Sequence, residues 1–524
     1  MNALSPLYPL TPINFPMKQL LTLFLALLLW GCAPKQQEVA TFQNPVIFAD
    51  VPDVDIVRVG GDYYMVSTTM HLSPGAPIMH SKDLVHWETV SYLFDRLDES
   101  PLNDLEGGHI YGKGQWASSI RYHEGVFYVL FGTGNRTYIY TTRDPHTKWE
   151  QRCVLEEYLH DASLLFDEGH IYIAYGAGQI RIVELKEDFS GLKTDGVNTL
   201  VIDRQPAGLL EGTHLYKFGD TYYMMLIWWP KGGIRTQLCF RSKQLEGPYE
   251  MQVVLSDDLG FEHHGVAQGC LIDTEAGDWY AMLFQDHEAV GRVPVLVPCR
   301  WVDGWPMLGD AEGKVPHTMA VPVQGVAPKG AMVVSDDFSS PTLGLTWQWN
   351  HNPDNRLWSL TERPGFMRLK TGKVVASIFE ARNTLSQRTE GPRSRGTVKL
   401  DISAMRQGDC AGLAIYCSEP GTLTIRREET ATTLSMTDRG EVVDAVTLHA
   451  DCVWLRAECD FVTDKARFLF SCDGESWQPL GGEFRMIYNL VHFMGNRFAI
   501  FNYATESAGG WVDVDSFTYE RLDE

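Results

Sequence analysis

Between residues 44 and 310 one pattern of polar and apolar positions recurs five times. A turn rich in Gly, Asp or Glu is followed by aromatic or β-branched residues and then by an apolar run. The copies read Gly61-Asp62-Tyr63-Tyr64, Glu124-Gly125-Val126-Phe127-Tyr128, Glu168-Gly169-His170-Ile171-Tyr172, Gly219-Asp220-Thr221-Tyr222-Tyr223 and Gly277-Asp278-Trp279-Tyr280. The runs MVSTT, VLFG, IAYG, MMLI and AMLF come directly after them. Short apolar runs bounded by turn residues are hairpin signals. The last Tyr of each copy is followed by the next after 64, 44, 51 and 57 residues, which suits four-stranded propeller blades with loops of unequal length. No long pattern of period 3.6 interrupts them. The expectation is an all-β chain with a five-bladed β-propeller over residues 41–315. Residues 316–333, rich in Pro, Gly and Ala, read as a linker. Over 334–524, alternating runs such as GTVKLDIS, AGLAIYC and VWLRAEC return without the repeat and predict an antiparallel β-sandwich.

Equivalent places in a ring of blades converge on its axis. Asp53 stands 11 residues before Tyr64, Asp161 stands 11 before Tyr172, and Glu211 stands 12 before Tyr223. Trp116 and Gln268 hold the matching places, each 12 residues before Tyr128 and Tyr280. Three carboxylates on one axis repel one another, so their presence needs a chemical reason. Hydrolysis of a glycosidic bond with inversion supplies one. A protonated carboxyl donates to the leaving oxygen while an ionised one takes a proton from water on the opposite face. A third carboxylate nearby raises the proton affinity of the acid. The other reading is that the three bind calcium or cap backbone amides at strand ends.

Charge narrows the partner. The formal net charge is −23, which argues against nucleic acid and acidic polymers and leaves a neutral substrate. Of ten Cys, Cys32 stands apart near the N-terminus, and the other nine are spread singly with no C-x-x-C pair. Buried thiols are expected rather than a zinc site, with room for one disulfide in the 410–472 cluster. Residues 1–40 read as a signal and tether. Met17 looks like the start, Lys18 precedes the apolar run from Leu20 to Trp30, and Leu29-Trp30-Gly31-Cys32 resembles a bacterial lipoprotein box. That implies lipidation at Cys32 and a membrane-anchored lipoprotein in the cell envelope of a Gram-negative bacterium.

Longer stretches carry a resemblance. FADVPDVDIVRVGGDYYMVSTTMH, QWASSIRYHEGVFYVLFG, HDASLLFDEGHIYIAYG, EGTHLYK and QGCLIDTEAGDWYAMLFQDHEAVGRVPVLVP resemble all five blades of glycoside hydrolase family 43. DDFSSPTLGLTWQWNHNPDNRLWSLTERPGFMRLKTG resembles its appended concanavalin-like, jelly-roll sandwich. Position by position, the resemblance implies Asp53 as general base, Asp161 as the modulating Asp and Glu211 as general acid. It implies Arg292 as a substrate ligand, and Phe493 in Phe493-Met494-Gly495 as a sandwich residue that reaches the pocket. Trp116 is expected to stack on sugar, Trp228 to wall the pocket, and His71 to contact substrate from a loop tip at the mouth. Val54 stands where Pro is common after the base. Gln268, also expected among the substrate-binding residues, stands where many relatives carry a His that assists a central calcium, so no cofactor is implied, and calcium at the axis stays open. Arg143-Asp144-Pro145 matches a motif of the fructan hydrolases but reads as a surface turn. The expected activity is exo-acting release of terminal α-L-arabinofuranosyl residues from plant cell-wall hemicellulose oligosaccharides or polysaccharides, such as xyloglucan or arabinoxylan. The alternatives are β-D-xylosidase activity and, from another class, a sugar-binding propeller without catalysis.

Overall fold

The structure, a computed structural model, describes residue 9 and residues 39–522 except 98–99, 204–206 and 262. Cys32 and the expected signal lie outside the described residues. From Thr41 onward the chain forms one compact unit, all-β apart from short 3-10 turns.

Five four-stranded antiparallel sheets form the propeller. Their first strands are Asp55–Val59, Ser118–His123, Ser163–Asp167, Gly208–Phe218 and Ala267–Asp273. Each first strand neighbours the first strands of the blades on either side, so the five close into a ring. Ile56, Ile120, Leu164, Leu215 and Leu271 are buried on these strands. The repeated turn residues make tight hairpins to the second strands. Glu124-Gly125 and Glu168-Gly169 both lie in the left-handed region at successive positions (φ 49° and 77°, 51° and 82°). That geometry matches the right-handed twist of the flanking strands.

The ring is fastened by Asn44. Its amide donates to the carbonyls of Leu296 and Pro316 (2.9 Å each), and its Oδ1 accepts from Leu296 N–H (3.0 Å). Next to it, Thr41–Gln43 pairs with Thr318–Ala320. The stretch read as a linker thus contributes a strand to the propeller's closure. Its later part lies on blade one, where Lys329 pairs with Glu88 at 2.5 Å.

The C-terminal part is a sandwich of two antiparallel sheets. One sheet takes an edge strand from blade one: Leu72–Ser73 pairs with Trp349 and Asn350. Val51, Val54 and Leu296 of the propeller belong to the same apolar core as Trp347, Leu413 and Phe498 of the sandwich. All nine described cysteines are free thiols; seven of them are buried, Cys452 is partly so and Cys472 is exposed. Asp144 is an exposed turn residue, as its motif context suggested.

Candidate active site

Strand irregularities aim the candidate residues at the axis. Asp53, Asp161 and Gln268 each take a left-handed backbone (φ 53°, 46° and 69°) just before or within the first strand of their blade. Non-glycine residues adopt it at a cost of about 1–3 kcal/mol and cluster at functional sites. In blade four the left-handed residue is Gly212 (φ 71°), one place after Glu211. A Cβ on Gly212 would stand 2.8 Å from Gln268 Cγ, so only glycine fits. The pairing register of blade four slips between Glu211 and His214, and that of blade five between Ala267 and Gly269. Such bulges re-aim side chains.

Hydrogen bonds and ion pairs tie each acid to a neighbouring blade. Asp53 is buried and receives Arg292 Nη1 at 3.0 and 3.1 Å and the Gln268 amide at 3.1 Å. Pro52 keeps the preceding turn in place, its carbonyl accepting from Thr68 N–H (3.2 Å) and Ser67 Oγ–H (2.8 Å). Asp161 Oδ2 accepts from Gly212 N–H at 3.1 Å. His160 Nε2 stands 3.1 Å from Glu211 Oε2 and 3.6 Å from Asp161 Oδ2.

Burial acts most on Asp161 and on the groups around it. Burial pushes the Asp161 carboxyl up to about 7; His160 opposes this and the charges of Glu211 and Asp53 add to it. The main cause is thus burial, with like charge as a smaller contribution. His160 is pushed up to about 9, chiefly by its hydrogen bond to Glu211. Tyr158 sits close enough to feel all three acids, though burial is the main cause of its raised phenol.

Arg292 is buried, and its Nε and Nη2 have no protein partner among the described residues. Buried donors without partners cost free energy unless a ligand satisfies them, so Arg292 is a candidate substrate ligand on geometry as well as on resemblance. Its guanidinium lies over the Phe493 ring at 4.4 Å, and Phe493 lies 5.6 Å from the Trp116 ring. The sandwich is held here firmly. Gly495 N–H donates to Asp50 (3.0 Å), the same carboxylate that accepts Arg292 N–H (2.8 Å), and Asn496 binds the Ala289 carbonyl. A Cβ on Gly495 would meet the Val290 carbonyl oxygen at 2.0 Å. Phe493→Ala is expected to raise KM about tenfold with a smaller change in kcat, since a desolvated cation–π contact is worth roughly 1–2 kcal/mol; unchanged kinetics on an aryl pentoside would count against the contact.

Two aromatic or histidine expectations read differently. Trp228 is partly buried, packs on the core of blades three and four, and donates to Ala207 O at 3.2 Å. It is one rung beyond the pair Glu211–Ile227. His71 is not at the mouth. It is fully buried where propeller and sandwich join, 4.7 Å from the Tyr111 ring, 4.9 Å from His351 and 5.6 Å from His492. Its carbonyl accepts His351 N–H at 3.1 Å. The loop that should have carried it outward is captured as the sandwich's edge strand, and burial pushes its imidazole well below the usual range.

Several functional candidates lay outside the sequence reading. Besides His160, the axis below the site holds a buried ion cluster. Asp55 receives Arg121 at 2.6 Å and Ile120 N–H at 2.9 Å, with His214 at 3.3 Å. Arg121 continues to Ser163 Oγ (2.9 Å) and the Leu215 carbonyl (3.2 Å). Four blades are thereby tied at one point, and Tyr216 OH adds the fifth through Leu271 N–H (3.1 Å). Burial pushes the Asp55 carboxyl up, but Arg121 and His214 outweigh it and hold it at about 2. This donor set does not suit a calcium ion: the Arg121 guanidinium already supplies the axial positive charge, and Gln268 turns N–H toward Asp53. His160, Asp161 and Glu211 bring a nitrogen and two oxygens within 4.8 Å of one another, a spacing their hydrogen bonds account for.

Comparison with known proteins agrees with this geometry. Residues 42–306 match the profile of glycosyl hydrolases family 43, and residues 335–520 match that of the beta xylosidase C-terminal concanavalin A-like domain. A beta-xylosidase of Formosa agariphila is 31% identical, over 94% of this chain and 91% of its own length. A non-reducing end alpha-L-arabinofuranosidase of Bacteroides ovatus is 30% identical, over 77% and 80%. Among solved structures, a bifunctional GH43-CE protein of Bacteroides eggerthii superposes with a TM-score of 0.88 at 42% identity, over 93% of this chain; the chain spans 64% of that protein's length. A five-bladed propeller with acids from three blades at its axis, followed by a concanavalin-like sandwich, thus belongs to glycosyl hydrolases family 43, and the protein is a glycoside hydrolase.

Proposed function

We propose that the chain is an exo-acting, inverting glycosidase that removes a terminal pentose from hemicellulose oligosaccharides. Asp53 acts as general base on the attacking water, Glu211 as general acid on the leaving oxygen, and Asp161 orients and modulates Glu211 through Gly212 and His160. The observation that carries this reading is the division of the acids into two environments. Asp53 is held in a buried pocket by the Arg292 guanidinium and the Gln268 amide. Glu211 sits in a more open place, with His160 at 3.1 Å and Asp161 bonded to the next residue, Gly212. The sandwich segment around Phe493 covers part of the site, which supports action at chain ends.

For the sugar, the first reading is α-L-arabinofuranoside. It rests on TTMH-x-SPG-x-PIMHSKDL and WWPKGGIRTQLCFRSK, which resemble the arabinofuranosidase-containing branch. The second is β-D-xyloside, favoured by the names of relatives from Formosa agariphila and Xylanibacter ruminicola, at 31% and 32% identity. One experiment tests both levels: the two aryl pentosides are compared by kcat/KM, with proton NMR of the first-formed sugar. The expected product has inverted anomeric configuration, and a retained one would overturn the single-displacement reading. A much larger kcat/KM on the xyloside would move the assignment to β-xylosidase.

A further inference from the structure

We propose that Trp229, with Leu209 beside it, is the platform that binds the sugar ring on the leaving side of the scissile bond, a neutral pyranose of the hemicellulose. The inference rests on the hydrolase reading above and deepens it, since it assigns residues to the part of the substrate from which the pentose is cut. Its ground is the pairing of blade four. Glu211 lies opposite Ile227, and two rungs further along Leu209 lies opposite Trp229. Residues paired directly across a ladder share a face, as do residues two apart on one strand. Glu211, Leu209 and Trp229 therefore project from the same face of the blade, with the apolar pair about 7 Å beyond the acid along the strand.

Both members of the pair are open to solvent, Trp229 at 43% and Leu209 at 42%. Exposed apolar residues scattered singly need no explanation. Two that face each other across a ladder, beside the group that protonates the leaving oxygen, stand where the ring attached to that oxygen must lie. The C–H face of a pyranose packs on such a surface while its hydroxyls stay in water. The indole is also held ready. Its N–H donates to the Gly233 carbonyl at 3.1 Å, so what it offers a ligand is its ring and not a donor. Arg235 lies over the ring at 4.8 Å and is fixed by both oxygens of Asp286 (3.1 and 3.0 Å). Asp286 is in turn the ladder partner of Arg292, so the platform is braced from the rung that carries the candidate pentose ligand. A ring fixed in advance loses little freedom on binding. The pairing of Arg235 with Asp286 leaves no unmatched charge beside it, which suits a neutral sugar. Trp228, the preceding residue, faces the other way and packs on the core of blades three and four.

The test compares two substrates that carry the same pentose. One is a methyl pentoside, whose leaving group is too small to reach Trp229. The other is an oligosaccharide in which the pentose is joined to a pyranose. The quantity read is the ratio of kcat/KM on the oligosaccharide to kcat/KM on the methyl pentoside. In Trp229→Ala this ratio is expected to fall about tenfold, the worth of one well-packed aromatic contact. Trp229→Phe keeps a ring and should recover most of the loss. Leu209→Asn leaves the indole and its bonds in place and should lower the ratio in the same direction, which decides the matter if Trp229→Ala does not fold. A purely structural role would lower both substrates together, so a ratio equal to the parent enzyme's in Trp229→Ala, or in Leu209→Asn where that variant decides, overturns the platform. If Glu211→Gln is inactive on both substrates at the same time, the hydrolase reading stands and only the platform falls. A parent enzyme that cleaves neither substrate with either pentose would instead sink the reading on which it rests.

Discussion

Glu211→Gln is expected to lower kcat/KM on a pentoside with a sugar or alkyl leaving group by about 10²–10⁴-fold, the usual worth of a positioned general acid. The loss should depend on the leaving group. An aglycone such as dinitrophenolate departs without a proton, so most of the activity should return on that substrate. Asp53→Asn should lose activity on every aglycone, because water must be deprotonated whatever leaves. Asp53 sits between Arg292 and Gln268 in a buried pocket, where an amide cannot take that proton. The opposite pattern, with activated substrates rescuing Asp53→Asn but not Glu211→Gln, would exchange the two roles. Unchanged activity in both variants would remove the axial acids from the mechanism.

The second large effect is on stability. Arg121→Met leaves Asp55 and its charge buried on the axis without its guanidinium, beside His214 and the Ile120 N–H. Breaking a buried ion pair by removing one partner costs about 3–5 kcal/mol. A clear fall in the urea midpoint of unfolding is expected, although Arg121 is not one of the candidate catalytic groups. The pH dependence has a definite sign. The folded-state carboxyl of Asp55 is depressed to about 2 from 3.8. Its stabilisation, about 2 kcal/mol by linkage, is present above pH about 4 and lost as pH falls toward 2. Asp55→Asn should therefore flatten the acid side of the stability curve. A midpoint in Arg121→Met equal to the parent's would mean that the cluster is not what ties the blades.

The particular residues show where sequence reading succeeds and where it stops. Asp53, Asp161 and Glu211 were legible because each keeps a fixed distance from a hairpin Tyr. Hairpins are local, so spacing along the chain becomes position in space. Trp116 and Gln268 followed from the same rule, and Arg292 and Phe493 from resemblance. His160 was not singled out because its neighbour Asp161 already accounted for the motif. Asp55, Arg121 and His214 look like ordinary polar residues near strand ends. The one available signal was charge on strands that a closed ring must bury. His71 misled because its loop reads as exposed; the partner that covers it, Trp349–Asn350, lies 278 residues further along the chain.

By itself, then, the sequence determined the five-fold repeat, the sandwich after it and the places of the three acids, since all of these come from short-range alternation and turns. Only the tertiary structure decided how the acids differ. The partners that hold them are Arg292 and Gln268 for Asp53, His160 for Glu211 and Gly212 for Asp161, each brought in from another blade. Burial and hydrogen bonding control a carboxyl's proton affinity, and both are properties of the closed ring, not of any one strand.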